Sequence, residues 1–144
     1  MATEILVNDG GAPARIMNLG NAGADIAAGM FVDINSSGAI VANAGMDAEE
    51  DSSSGQKVSL GVLLVDAAAG APTSIITGKG VVCNVQAAEA LSTVGTEVTV
   101  DDAGKVEATA DADAHRAVGI TLAASFTGSD SGGNDTTFVK VLLI

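Results

Sequence analysis

The chain has 144 residues and a formal net charge of −12, from 18 acids against 6 bases; it holds 26 alanines, 18 glycines and three Phe, with no Trp or Tyr. A charge of this sign repels nucleic-acid phosphates and anionic lipid, so neither is expected as a direct partner, and the aromatic shortage removes the usual stacking platforms for bases and sugars. The length fits one domain with a real core, and the Ala, Gly, Val, Thr and Ser content predicts a small-residue, all-β protein with many tight turns.

Residues 1–14 (MATEILVNDGGAPA) hold one short apolar patch, Ile5-Leu6-Val7, then a turn-prone Asn8-Asp9-Gly10-Gly11 and Pro13. They are read as an extended N-terminal arm, separate from a single β domain over 15–144. Glu4 and Asp9 stand there without any Lys or Arg, which is not the pattern of a secretory leader. No stretch approaches the ~20 apolar residues of a membrane span. The expectation is a soluble product made in the cytoplasm.

Arg15–Leu19 reads as a strand entering the domain. Met30–Ile34, the Ser36-Ser37-Gly38 turn and Ala39–Ala42 read as a β-hairpin, and the acidic, Ser-rich residues 45–57 read as a surface loop. Val58–Val65 is apolar enough for a strand buried on both faces. Thr73–Thr77 and Gly80–Val85 are further short strands, with Gly78-Lys79-Gly80 as a bend. Gln86–Leu91 (QAAEAL) is the best helix candidate, and a short one. Thr96–Val100, the turn over 101–104 and Lys105–Thr109 form a second hairpin. A loop over 111–116, a strand over 117–124, a flexible Gly-rich loop over 128–135 and an apolar final strand over 137–144 complete the chain.

The two hairpins are one pattern written twice. Residues 28–44 (AGMFVDINSSGAIVANA) overlie 94–110 (VGTEVTVDDAGKVEATA) without a gap. Gly29 meets Gly95, Val32 meets Val98, Gly38 meets Gly104 and Ile40 meets Val106. A second echo follows each, LGVLLVDAA at 60–68 and VGITLAASF at 118–126, with Gly61 over Gly119. The half-repeats span about 26–68 and 92–126, and the segment 46–55 is an insertion in the first. A small barrel or a sandwich accommodates such a repeat.

Chemistry-bearing residues are sparse. Cys83 lies in an apolar run, where an inert buried thiol is expected, and His115, the one histidine, sits in a polar loop far from it in sequence. Gly78-Lys79-Gly80 lacks the spacing of a phosphate loop. Asp47, Glu49, Glu50 and Asp51 alternate as calcium ligands do, but the sixth position is Ser52 and the twelfth Val58. Asp111, Asp113 and His115 make a weak chelating set of mixed softness. No catalytic residue, cofactor or metal is therefore expected.

The order AGMFVDINSSGAIV, SLGVLLVDAAAG, IITGKGVVCNV, VGTEVTVDDAGKVEATA, AVGITLAA and FVKVLLI resembles the capsid cement, or head decoration, proteins of tailed bacteriophages. The resemblance covers roughly 15–144; the insertion at 46–55 and the loop at 128–135 depart from it. It implies a non-enzymatic structural protein on the capsid exterior of a virion. Its partner would be the major capsid protein, and it would sit as a homotrimer at three-fold or quasi-three-fold positions. On that reading the arm would order on the capsid, with Ile5, Leu6, Val7, Pro13 and Arg15 as contacts and Ile5–Val7 added to an exposed strand edge. An alternative is a β-rich adhesive or carbohydrate-binding module, which the aromatic shortage disfavours. Another is an enzyme accessory domain of barrel-sandwich type, which would need an attachment lysine at a hairpin tip. Lys105 follows such a tip, but Ala39 holds the matching place in the first copy.

Overall fold

A computed structural model describes residues 2–8, 15–45, 59–101, 103–109 and 117–144. Two antiparallel sheets, neither closed into a barrel, make a sandwich-like all-β fold with no helix among these residues. The smaller sheet is built from β2 (Arg15–Met17), β3 (Phe31–Ile34), β4 (Ile40–Ala42), β5 (Gly61–Leu63) and β6 (Ile75–Thr77), in the order β2-β6-β5-β3-β4. The larger holds β1 (Leu6–Asn8), β7 (Val82–Gln86), β8 (Glu97–Val100), β9 (Val106–Ala108), β10 (Gly119–Thr121) and β12 (Asp135–Leu143), in the order β1-β7-β12-β10-β8-β9. A further strand, β11 (Phe126–Ser129), pairs with the N-terminal part of β12.

The hairpin turns explain why the repeated sequence folds the same way twice. The Asn35 side chain accepts the Ser37 and Ala39 N–H groups at 3.0 Å each. Asp101 accepts those of Ala103 and Lys105 at 2.9 and 2.8 Å. An Asx side chain that binds its own loop replaces the backbone pairing lost in the turn. The fourth turn residue, Gly38 or Gly104, has φ of 83° or 77°, a region costly for residues with a Cβ. The strands that follow keep register: Val32 pairs with Ala42 and Gly61, as Val98 pairs with Ala108 and Gly119.

The duplication runs further than the hairpins. The smaller sheet's order β2-β6-β5-β3-β4 is repeated as β7-β12-β10-β8-β9. Met17 stands opposite Ile75 as Cys83 stands opposite Val141, and Ile16 opposite Ile76 as Val82 opposite Leu142. The repeat thus spans 15–77 and 81–143, wider than 26–68 and 92–126, with each copy forming its own sheet. Two insertions distinguish the copies. One falls in the 46–58 stretch of the first, which lies outside the described residues. The other is the β11 hairpin of the second, between Ser125 and Phe138.

Alternation along the strands gives each sheet two faces. In the first copy both are covered: Val32, Ile40, Leu63 and Ile75 join one core cluster, while Phe31, Val62 and Ile76 join the larger one. In the second copy Val98, Val106 and Val141 belong to that larger cluster. Glu97, the counterpart of Phe31, is exposed, and Ile120 and Leu142 are half-buried. The copies are alike in backbone and unlike in what covers their outer face. That is why charged residues of one copy overlie apolar ones of the other. Each fully buried Val, Ile, Leu or Phe contributes about 1.5–3 kcal/mol.

Three expectations change. Gln86–Leu91 is not a helix: Gln86 ends β7, and Ala87 and Ala88 donate to Thr137 and Val106 carbonyls at 2.9 Å each. A six-residue stretch whose Ala87 and Ala88 N–H groups go to other strands, and whose Leu91 N–H goes to the Ser125 hydroxyl, cannot close helical turns. Residues 128–135 are not a flexible loop. Gly128 and Ser129 belong to β11, Asp135 opens β12, and Asp130 accepts the Asn134 N–H at 2.8 Å in a third copy of the Asx turn, with Gly133 at φ 79°. Residues 2–8 are not a separate arm either: β1 is an edge strand of the larger sheet and Ile5 is buried in the core.

Candidate functional site

The N-terminal strand is held from two sides. Leu6 pairs with Cys83 and Asn8 with Val82, with a register shift between them. Asn84 donates its backbone N–H to the Ile5 carbonyl at 2.8 Å and its side-chain amide to the Glu4 carbonyl at 2.7 Å. Thr3 reaches to β11: its N–H donates to the Ser129 carbonyl at 3.0 Å, and its hydroxyl accepts the Ser129 N–H at 3.1 Å. Residues 3–5 therefore cross over β12 at Phe138, whose ring stacks on Phe126 with centroids 6.1 Å apart.

This crossing walls a groove of about 450 Å³. Ile5, Leu6, Leu64, Val65 and Phe138 give it apolar walls, and Glu4, Asp66 and Asp130 bring carboxylates to it. Asp66 is fixed by its Oδ1, which accepts the Ala28 N–H at 2.7 Å, and by its Oδ2, which accepts the Ser131 hydroxyl. Asp130 is held below the ordinary carboxylate pKa, chiefly by the Asn134 N–H. Val65 is 53% exposed. An apolar trough rimmed by carboxylates suits an extended segment with apolar side chains next to Lys or Arg.

The expected contact residues are scattered. Ile5 is buried, Leu6 half-buried and Val7 exposed, all in one segment. Arg15 is exposed on β2, at the edge of the other sheet. Pro13 lies outside the described residues, as do residues 46–58, Asp111, Asp113, His115 and Arg116. Lys105 is half-buried beside the second Asx turn. Cys83 is buried, and desolvation pushes its thiol up to about 11, so it is a poor nucleophile. Among the described residues no group of three or more His, Cys, Asp or Glu is placed to hold a metal ion. The sequence reading missed Asp66, Val65 and the 130–134 turn. The signal for that turn was available, since Asp130 and Gly133 repeat the spacing of Asn35 and Gly38.

No family model matches the chain, and no curated protein matches it.

Proposed function

We propose that this protein is a structural component of a tailed-phage virion. It binds the outer surface of the capsid, bridges neighbouring major capsid subunits and stabilises the expanded head, as a trimer at three-fold or quasi-three-fold positions. The observation that carries this reading is the placement of an exposed apolar side chain beside the N-terminal strand. Val65 stands at an apolar groove rimmed by Glu4, Asp66 and Asp130, in a chain of net charge −12. An acidic, apolar surface of this kind recognises a basic protein surface and repels DNA. Attachment at many equivalent lattice points makes modest single contacts sufficient.

Co-sedimentation of the purified protein with expanded capsids tests the reading. The unaltered chain is expected to saturate the shell, and Val65→Lys, a change at an exposed position, to lower its occupancy at least tenfold with the fold intact. Failure of the unaltered chain to co-sediment overturns the function. Undiminished binding by Val65→Lys overturns the role of the groove.

A further inference from the structure

The duplication exposes a difference between two equivalent edges. β7 is the outer strand of the second repeat, and β1 covers its free edge. β2 is its counterpart in the first repeat, by the matched pairing of Met17 with Cys83 and Ile16 with Val82. No strand covers the free edge of β2 among the described residues. The consequence shows in exposure: Cys83 is 0% exposed, whereas Met17 is 41% and Ile16 50%. An uncovered edge offers unpaired N–H and C=O groups in a row and is a ready template for another strand.

We infer that the β2 edge is the place where an extended segment of the shell protein adds as an antiparallel strand, taking the seat that β1 takes on β7. This rests on the capsid-binding reading above and adds to it the point of attachment. The covered edge indicates what the added strand looks like. It places an apolar residue opposite Met17, as Leu6 stands opposite Cys83, and a polar one opposite Ile16, as Asn8 stands opposite Val82. Main-chain hydrogen bonds supply the attraction, and side chains on alternate positions supply the register.

Two other occupants fit less well. The β1 strand of a second copy is not available, because its Ile5 is buried in its own core and Asn84 holds the Glu4 and Ile5 carbonyls. Two copies pairing β2 to β2 would share a ladder of three residues each. That falls far below the ~1,200–2,000 Å² of total surface a stable interface buries. A segment repeated around a capsid overcomes that weakness by avidity.

The test combines exchange and binding. Backbone hydrogen exchange is measured over Arg15–Asn18 in the free protein and on expanded capsids, and occupancy is measured for Ile16→Arg and Met17→Lys, both at exposed sites. The expected result is at least tenfold slower exchange at β2 on the capsid and at least tenfold lower occupancy for both variants. If the unaltered chain binds while β2 exchange and the variants' occupancy are unchanged, the inference fails and the capsid reading survives. If the unaltered chain does not bind, both fail. A concentration-dependent dimer of the free protein that Ile16→Arg abolishes would make a second copy the occupant and overturn the inference.

Discussion

Phe31 and Gly104 lock the two repeats together. The Phe31 N–H donates to the Gly104 carbonyl at 2.8 Å, and a Cβ on Gly104 would stand only 2.8 Å from the Phe31 carbonyl oxygen. Strand β3 of one copy thus rests on the hairpin turn of the other. Gly38 holds the same turn position in the first copy, but a Cβ there would meet nothing within 4 Å. Both glycines need a positive φ, so Ala at either costs about 1–3 kcal/mol. Gly104→Ala must also push two backbones apart, a further ~1–3 kcal/mol. Urea titration should therefore find Gly104→Ala the more destabilising of the two; equal losses would show that the turn does not lock the copies.

The exchange of Phe31 for Glu97 at one repeat position gives a second comparison. Phe31 is 3% exposed within the larger core, whereas Glu97 faces solvent. Phe31→Ala is expected to cost about 3–5 kcal/mol. Glu97→Ala should fall within about 0.5 kcal/mol, as surface changes do. Denaturant unfolding of the pair checks both values. Similar losses would mean that the copies bury the same face.

Much of this was legible in the sequence. The glycine echoes, from Gly29 and Gly95 to Gly61 and Gly119, marked positions where register is set, and the strands they flank are in place. What escaped was non-local. Nothing in QAAEAL says that its N–H groups are claimed by Thr137 and Val106, and helix propensity yields to that pairing. Ile5-Leu6-Val7 looked detachable because its partner strand lies more than seventy residues away. The groove was invisible for the same reason: Glu4, Asp66 and Asp130 come from three distant stretches, and only the folded sheet assembles them.

Cys83 links burial to pH. Desolvation raises its thiol from 9.0 to about 11, so the folded state favours the protonated form. The stabilisation is whole below the unfolded value and is lost as pH climbs from about 9 through about 11. At pH 8 the thiolate fraction is roughly 100-fold below that of an unfolded cysteine. Labelling with a thiol reagent should be at least that much slower in the native protein than in strong denaturant. Comparable rates in the two states would show that the β1 edge opens freely over Cys83.

The N-terminal strand separates folding from binding in a way that truncation cannot. Removing residues 2–8 would uncover β7, delete Ile5 from the core and break the Thr3 link to β11, so a loss of capsid binding could follow from unfolding alone. Point changes avoid this. Ile5→Ala deletes a buried side chain and is expected to cost about 2–4 kcal/mol. Val65→Ala changes an exposed one at the groove beside this strand and should leave stability within about 0.5 kcal/mol. If the groove meets the shell, Val65→Ala still lowers capsid occupancy, while a stabilised background carrying Ile5→Ala retains it. The opposite ranking in a co-sedimentation assay would place the contact elsewhere, because the side chain that matters for attachment must be the one that faces out.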